Sequence, residues 1–420
     1  MFKNLRQLFQ KKNKDLIGRI LFTMFVLTIY VVGISITVPG TESLLQSLGF
    51  LELLNVMGGG ALKNFSIFAL GVSPYITASI VIQLLQMDMI PYFSELSKQG
   101  HTGQQKLNQI TRYAGIIFAF IQGYAMSFAF LRNVGTLQHL KIALILTAGT
   151  SFLLWLGDQV TQKGIGNGIS LLIMAGIIYS LPQMIIDAYT SLISKGTVIG
   201  VSSFIVFLLV YVLIIVGVII VEGATRKIPI QYANKSTASL GQQTFMPIKI
   251  NSAGVVPVIF ASSLLAIPAT IAQFVDKKSF TTFVNNYLNY SKPVGFILFV
   301  LLIFFFAYFY TFIQMKPDDM AKNLQDNGGY IPGVRPGEAT KKYISKVLSR
   351  LTIVGAFFLT LLAALPIIVN NFTNLPKSVE LGGTGLLIVV GVAIETYKQL
   401  ESSLLSREYS SVKSSRRRRR

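Results

Sequence analysis

Long apolar runs broken by short polar joints dominate this chain. A helix that crosses a bilayer needs about 20 mostly apolar residues. Runs of that kind lie near residues 20–38, 65–86, 113–131, 142–157, 169–186, 201–221, 253–274, 294–315, 351–369 and 381–395. The pattern predicts an all-α membrane protein of ten transmembrane helices, the fourth and tenth short. Five runs fall before about residue 195 and five after it. An odd number per half gives the halves opposite orientations, the arrangement of an inverted pair around a midplane pathway.

The polar interruptions carry further signals. Residues 1–19 are basic (Lys3, Arg6, Lys11, Lys12, Lys14, Arg19), with Phe2, Leu5, Leu8 and Phe9 at near-helical spacing. This predicts an amphipathic helix on the membrane surface. The following apolar run is too long for a signal peptide and reads as a retained first span. Residues 42–64 are half apolar, carry Glu42, Glu52 and Lys63, and contain Gly58-Gly59-Gly60. Such a stretch cannot cross lipid unaided. It is either an external loop packed on the helices or a re-entrant segment lining a wet cavity. The loops at 222–252 and 316–350 are long, and the second is punctuated by Gly328-Gly329, Pro332-Gly333 and Pro336-Gly337. Paired Gly and Pro predict ordered turns, which suits a docking surface better than a slack connector.

Composition sharpens this picture. Hydrophobic residues make up 52% of the 420 and charged ones 13%, about half the charge of a soluble domain. The formal charge is +20. Most Lys and Arg collect in the N-terminus, the even-numbered loops and the C-terminal tail, as the positive-inside rule requires if both termini are cytoplasmic. The excess is an orientation signal before it is a nucleic-acid footprint. There is no Cys and there are two His, so thiolate sites and disulfides are excluded and a metal or other cofactor has little to hold it. No P-loop or catalytic cluster is visible, and an enzyme is not expected. Gly164-Ile165-Gly166-Asn167-Gly168 superficially suggests a phosphate loop. It sits between two spans and not after a strand, so nucleotide binding is not expected. The span interiors carry no ionisable group. Coupled pumps and transporters mark their pathways with such groups, whereas a narrow apolar neck closes a pore by shedding water. A hydrophobically sealed conduit is the reading favoured over a secondary transporter.

Five stretches are similar to the SecY family, the channel-forming subunits of bacterial protein export. They are FSIFALGVSPYITASIVIQLLQ (65–86), WLGDQVTQKGIGNGIS (155–170), NSAGVVPVIFASSLLAIPATI (251–271), GGYIPGVRPGEATKKYISKVLSRLTIVGA (328–356) and GGTGLLIVV (382–390). The resemblance covers about residues 16–400, in order. It implies two inverted five-helix halves, 20–195 and 196–402, around an hourglass pore in the bacterial cytoplasmic membrane, with a basic tail at 403–420. It implies an apolar pore ring of Val72, Ile76, Ile173, Ile259 and Ile388. It implies a plug of Leu53, Leu54, Asn55, Val56, Met57, Gly58, Gly59, Gly60, Ala61, Leu62, Lys63 and Asn64. A lateral gate would run between the second and seventh spans, with Thr77, Gln83, Ser262 and Ser263 as polar candidates; those side chains could equally satisfy their own helices. Arg226, Lys227 and Arg335 would meet the motor ATPase SecA or the ribosome, Arg335 because a rigid guanidinium pairs two-pronged with a carboxylate. SecE and SecG subunits, signal peptides and unfolded secretory or membrane proteins complete the implied partners. A cargo-restricted accessory relative is the alternative within the family; the intact Arg335 loop favours the general channel.

Two regions depart from the family pattern. Gln104-Gln105 stand where a basic pair is usual, and the 234–245 loop tip is poor in positive charge. Both predict weaker electrostatic contact with ribosomal RNA. The tail ends in five consecutive Arg (416–420); the run can bind anionic lipid with about 1 kcal/mol per residue, contact the ribosome, or stand as a solvated tail without function.

Overall fold

A computed structural model describes residues 14–41, 55, 58–86, 90–131, 135–193, 198–232, 244–274, 278–289, 292–373 and 385–404. Among them, six helices are long and apolar enough to cross a membrane. They are α1 (Lys14–Ile34), α5 (Thr136–Lys163), α6 (Gly168–Ile193), α7 (Val198–Gly223), α10 (Pro293–Met315) and α12 (Glu338–Thr373). Two apolar helices are shorter, α2 (Ser73–Leu85) and α8 (Val256–Phe274). α4 (Gly100–Phe130) and α13 (385–404) carry the third and tenth expected spans. Short helices α3 (Pro91–Lys98), α9 (Lys278–Phe283, continued by a π turn over Val284–Leu288) and α11 (Pro317–Asp326) complete the set.

The second expected span is corrected. Helix begins only at Ser73, so α2 is about 20 Å long, too short for a hydrocarbon core of about 30 Å. Residues 58–72 run instead as consecutive turns. Irregular backbone at this depth is tolerated when protein surrounds it, and here it is surrounded. Val38 N–H donates to Phe65 O at 3.0 Å and Ile67 N–H to Ile36 O at 3.0 Å. Phe68 stacks on Tyr30 of α1 and on Phe152 of α5. A β-carbon placed at Gly149 of α5 would run into the carbonyl oxygen of Ile67. That glycine is what admits the segment.

The joint between the second and third expected spans is largely helical too, over Pro91–Lys98 in α3 and from Gly100 onward in α4. From Gly100 to Arg112 most polar residues are exposed, while Gly103, Leu107 and Thr111 make one buried stripe.

The long loops hold structure that the all-α expectation did not include. Strands β1 (Thr225–Tyr232), β2 (Thr244–Lys249) and β3 (Gly329–Tyr330) form one sheet in the order β2-β1-β3. β1 pairs antiparallel with both neighbours, Thr225 opposite Lys249 and Gln231 opposite Tyr330. α11 starts at Pro317 after Lys316 adopts a left-handed φ of 37°. Asp318 and Asp319 in its first turn favour that end of the helix dipole. Ile228, Ile230 and Ile248 of the sheet pack against Leu324, Ile331, Ile344 and Leu348.

One large apolar cluster lies among the membrane helices, drawing Tyr30, Ile80, Leu153, Leu172, Ile214, Phe260, Phe306, Leu359 and Leu387 from nine different helices. α8 packs on α10 and also touches α2 and α4, while α7 packs on α6 and α12.

Candidate functional site

Four elements distant in sequence deliver the five isoleucine and valine candidates to one place. Val72 is the residue before α2, Ile76 lies on α2, Ile173 on α6, Ile259 on α8 and Ile388 on α13. All five are buried in the same cluster. Ile173, Ile259 and Ile388 also border a cavity of about 100 Å³. Such side chains offer no hydrogen bond to a passing chain, and a narrow ring of them excludes water.

Polar clefts adjoin this cluster. One of about 590 Å³ is lined by Ser79, Gln83, Gln86, Gln104, Asn108 and Gln314 among others. A second, of about 610 Å³, shares Tyr75 and Asn108 with it and adds Gln105, Gln109, Thr161 and Asn167. Neutral amides and hydroxyls dominate both. The charges are Lys316 in the first and the ion pair of Arg112 with Asp158 in the second. The 100 Å³ cavity shares Tyr310 and Gln314 with the first cleft, so amide-lined space leads towards the isoleucines.

The expectation that no ionisable group lies inside the spans is corrected at Glu395. Glu222, one residue beyond the sixth expected span, is buried, and Glu395, at the last position of the tenth, borders the same small cavity.

The gate candidates are placed as follows. Thr77 donates to Ser73 O at 3.2 Å, and Ser262 donates to Val258 O and Ile259 O. These hydroxyls serve their own helices. Ser263 is buried. Gln83 Nε2 donates to Ser79 Oγ at 3.1 Å, and its Oε1 has no partner among the described residues. Of the plug candidates, Leu53, Leu54, Val56 and Met57 lie outside the described residues. Asn55 Oδ1 accepts from Lys63 N–H at 2.9 Å, and Gly60 N–H donates to Asn55 O at 2.8 Å. Ala61 and Leu62 are fully buried, and Gly58 is buried too, while Lys63 is exposed and Asn64 half-buried. Gly59, at φ 68°, abuts the backbone of Gly176 on α6.

Arg226 and Lys227 are both exposed on β1. Arg335 is exposed in the turn before α12, its carbonyl accepting from Thr340 Oγ1 at 2.9 Å. No ion pair engages its guanidinium among the described residues. The strand pairing carries these three cations on one small body. Alternation in Ile228-Pro229-Ile230-Gln231-Tyr232 was the signal that could have revealed β1. The Gly164–Gly168 run is a tight joint: Asn167 Oδ1 accepts from the N–H groups of Ile169 and Ser170 to cap α6, and Ile165 N–H donates to Thr23 Oγ1. The basic N-terminus before residue 14, residues 233–243 with most of the 234–245 tip, and the Arg tail lie outside the described residues.

Long apolar helices around a buried cluster of valine and isoleucine, with polar clefts adjoining it, fit a channel-forming membrane protein. A family model described as SecY matches residues 66–397. The protein translocase subunit SecY of Staphylococcus aureus is 49% identical over 415 residues, 95% of this chain and 96% of that one. A solved structure concerned with the plug domain of the SecY protein, which stabilizes the closed state of that channel, overlays with TM-score 0.70 at 21% identity, covering 93% of each chain. Sec61 in the canine ribosome–channel complex overlays with TM-score 0.64 at 17% identity, again covering 93% of each. The chain belongs to the SecY family. It is a multi-pass membrane protein and a protein translocase channel subunit.

Proposed function

We propose that this subunit passes unfolded secretory proteins across the bacterial cytoplasmic membrane and releases apolar segments sideways into lipid, driven by SecA or by the translating ribosome. The observation that carries the reading is the convergence of Val72, Ile76, Ile173, Ile259 and Ile388 into one buried cluster next to amide-lined clefts. These five form a gasket that closes around any cargo. Residues 53–64 act as the plug on its outer side. The two halves, divided near residue 195, meet on one side where α8 touches α2 and α4, and on the other where α6 meets α7. The first contact is the lateral gate. A cargo segment that prefers lipid parts it, since insertion terms range from about −0.6 kcal/mol for Leu to about +3.5 for Asp.

The sheet and the Arg335 turn face the cytoplasm, as do both termini, and dock the motor or ribosome. SecE and SecG brace the subunit. Sec61 has been solved in a ribosome–channel complex, which supports the ribosome as a partner of this chain as well. The test is SecA- and ATP-dependent transport of a secretory precursor into proteoliposomes holding this chain with SecE and SecG. The unaltered complex transports. Arg335→Glu lowers transport at least tenfold while the sealed resting state is kept. Absence of transport by the unaltered complex would overturn the reading.

A further inference from the structure

Glu222 ends α7, the most apolar of the spanning helices, and is 8% exposed. A buried carboxylate is costly unless it is hydrogen-bonded, and this one is. Asn251, 4% exposed, donates from Nδ2 to Glu222 Oε1 at 2.7 Å and to Gly254 O at 3.0 Å. Lys398 of α13 donates from Nζ to the Glu222 carbonyl at 3.1 Å. Lys249, Lys398 and Glu395 are the other charges facing the carboxylate.

Asn251 sits in the turn that joins β2 to α8. Ile250 N–H donates to Ala224 O at 3.1 Å, which extends the β1–β2 ladder beyond Thr225 and Lys249 into that turn. Two glycines receive it. A β-carbon at Gly355 of α12 would stand 3.1 Å from Ile250 O and 3.4 Å from Asn251 Cα. One at Gly391 of α13 would stand 2.8 Å from Val255 Cγ1. The turn is therefore gripped by α7, α12 and α13 and leads directly into α8, which carries Ile259. The sheet bearing Arg226 and Lys227 has no slack between it and that helix.

We propose that Glu222 and Asn251 are positioning residues that transmit displacement of the docking sheet to Ile259. The inference rests on the docking and ring assignments above. Strands alone would let the turn pivot about Ala224. The side-chain bridge fixes the start of α8 against the end of α7, so a push on β1 moves α8 as a lever and shifts the gasket. A long-lived link between elements is where load travels when it has discrete arrangements to choose between.

The test uses the complete complex in proteoliposomes with motor and ATP, reading motor binding, motor ATP hydrolysis and cargo transport separately. Asn251→Asp sets carboxylate against carboxylate. Glu222→Ala removes the bridge without leaving a buried charge. Both are expected to lose transport tenfold or more, with motor binding and ATP hydrolysis within twofold of the unaltered complex. Combining Glu222→Gln with Asn251→Asp exchanges donor and acceptor across the pair but gives up the bond to Gly254 O, and transport recovers at least threefold over Asn251→Asp alone. Should Asn251→Asp fail to assemble, Glu222→Ala and the exchanged pair still decide. Transport within twofold in Glu222→Ala would overturn the link. So would motor binding falling in parallel with transport, which is the mark of a merely structural contact. An unaltered complex that fails to transport overturns the docking reading, and the link with it.

Discussion

Tyr330 donates its phenolic hydrogen to Oε1 of Gln231 at 2.9 Å, joining two loops 99 residues apart in the chain. The bond lies over the short register that pairs Gln231 with Tyr330 and Tyr232 with Gly329. Two paired residues do not hold a sheet in water. This pairing persists because Ile228 and Ile230 are buried against Leu324, Ile331 and Ile344. Arg226, Lys227 and Arg335 thus ride on one core, and a partner that touches the second loop moves the first.

Tyr330→Phe removes this exposed bond and leaves the aromatic packing. The stability loss is at the low end for a neutral hydrogen bond, about 0.5 kcal/mol. Hydrogen exchange should quicken at Gln231, Tyr232 and Tyr330 and stay unchanged in α10 and α12. Unchanged exchange at those three amides would mean the apolar core alone sets the pairing.

Gly149→Ala tests the socket for the irregular segment. The added methyl meets the Ile67 carbonyl oxygen, a backbone atom that cannot rotate aside. Overpacking of this kind costs about 1–3 kcal/mol, and thermal unfolding of the detergent-solubilised complex should register it. Gly18→Ala is the control: nothing lies within 4 Å of its added carbon, and helix propensity favours it by up to about 1 kcal/mol. Equal melting of the two variants would show that residues 65–72 are not held by α5.

The contrast between these glycines shows where the sequence was legible. Apolar runs announce membrane helices because lipid imposes one length on all of them. The five ring candidates were named from motifs and the fold gathers them into one buried cluster, though each alone looks like any core position. The start of α2 was not recoverable, because FSIFALGV is as apolar as the helix that follows. What keeps it irregular is tertiary: the gap at Gly149 and the rings of Tyr30 and Phe152 around Phe68. β1 was masked by Pro229 and by the charge of its neighbours, since its hydrophobic partners come from α11 and α12. The Glu222–Asn251 bridge spans 29 residues with no motif spacing to advertise it.

Arg112 and Asp158 pair across the polar cleft with side chains 45% and 29% exposed. At that exposure water screens most of the attraction, and ion pairs of this kind contribute about 0–1 kcal/mol. A double-mutant cycle with Arg112→Gln and Asp158→Asn should give a coupling below about 1 kcal/mol that shrinks further in high salt. A salt-insensitive coupling above about 2 kcal/mol would mean that the cleft is dry and cannot serve as a hydrated entrance.

Ile259→Asn tests the gasket itself. The side chain is buried against Ile173 and Ile388 at the small cavity. An amide there gives water a partner within the proposed ring, and a wetted neck conducts ions. Chloride efflux from cargo-free vesicles holding the complex should rise at least fivefold over the unaltered channel. Ile259→Leu keeps the volume and the apolar surface, costs less than about 1.5 kcal/mol, and should stay sealed. The pair of variants separates polarity from packing. If both leak, it is shape that closes the pore and the seal depends on a precise fit of side chains. If neither leaks, the isoleucine cluster is an ordinary core and the closure lies elsewhere, in the segment around Gly59 that rests on α6.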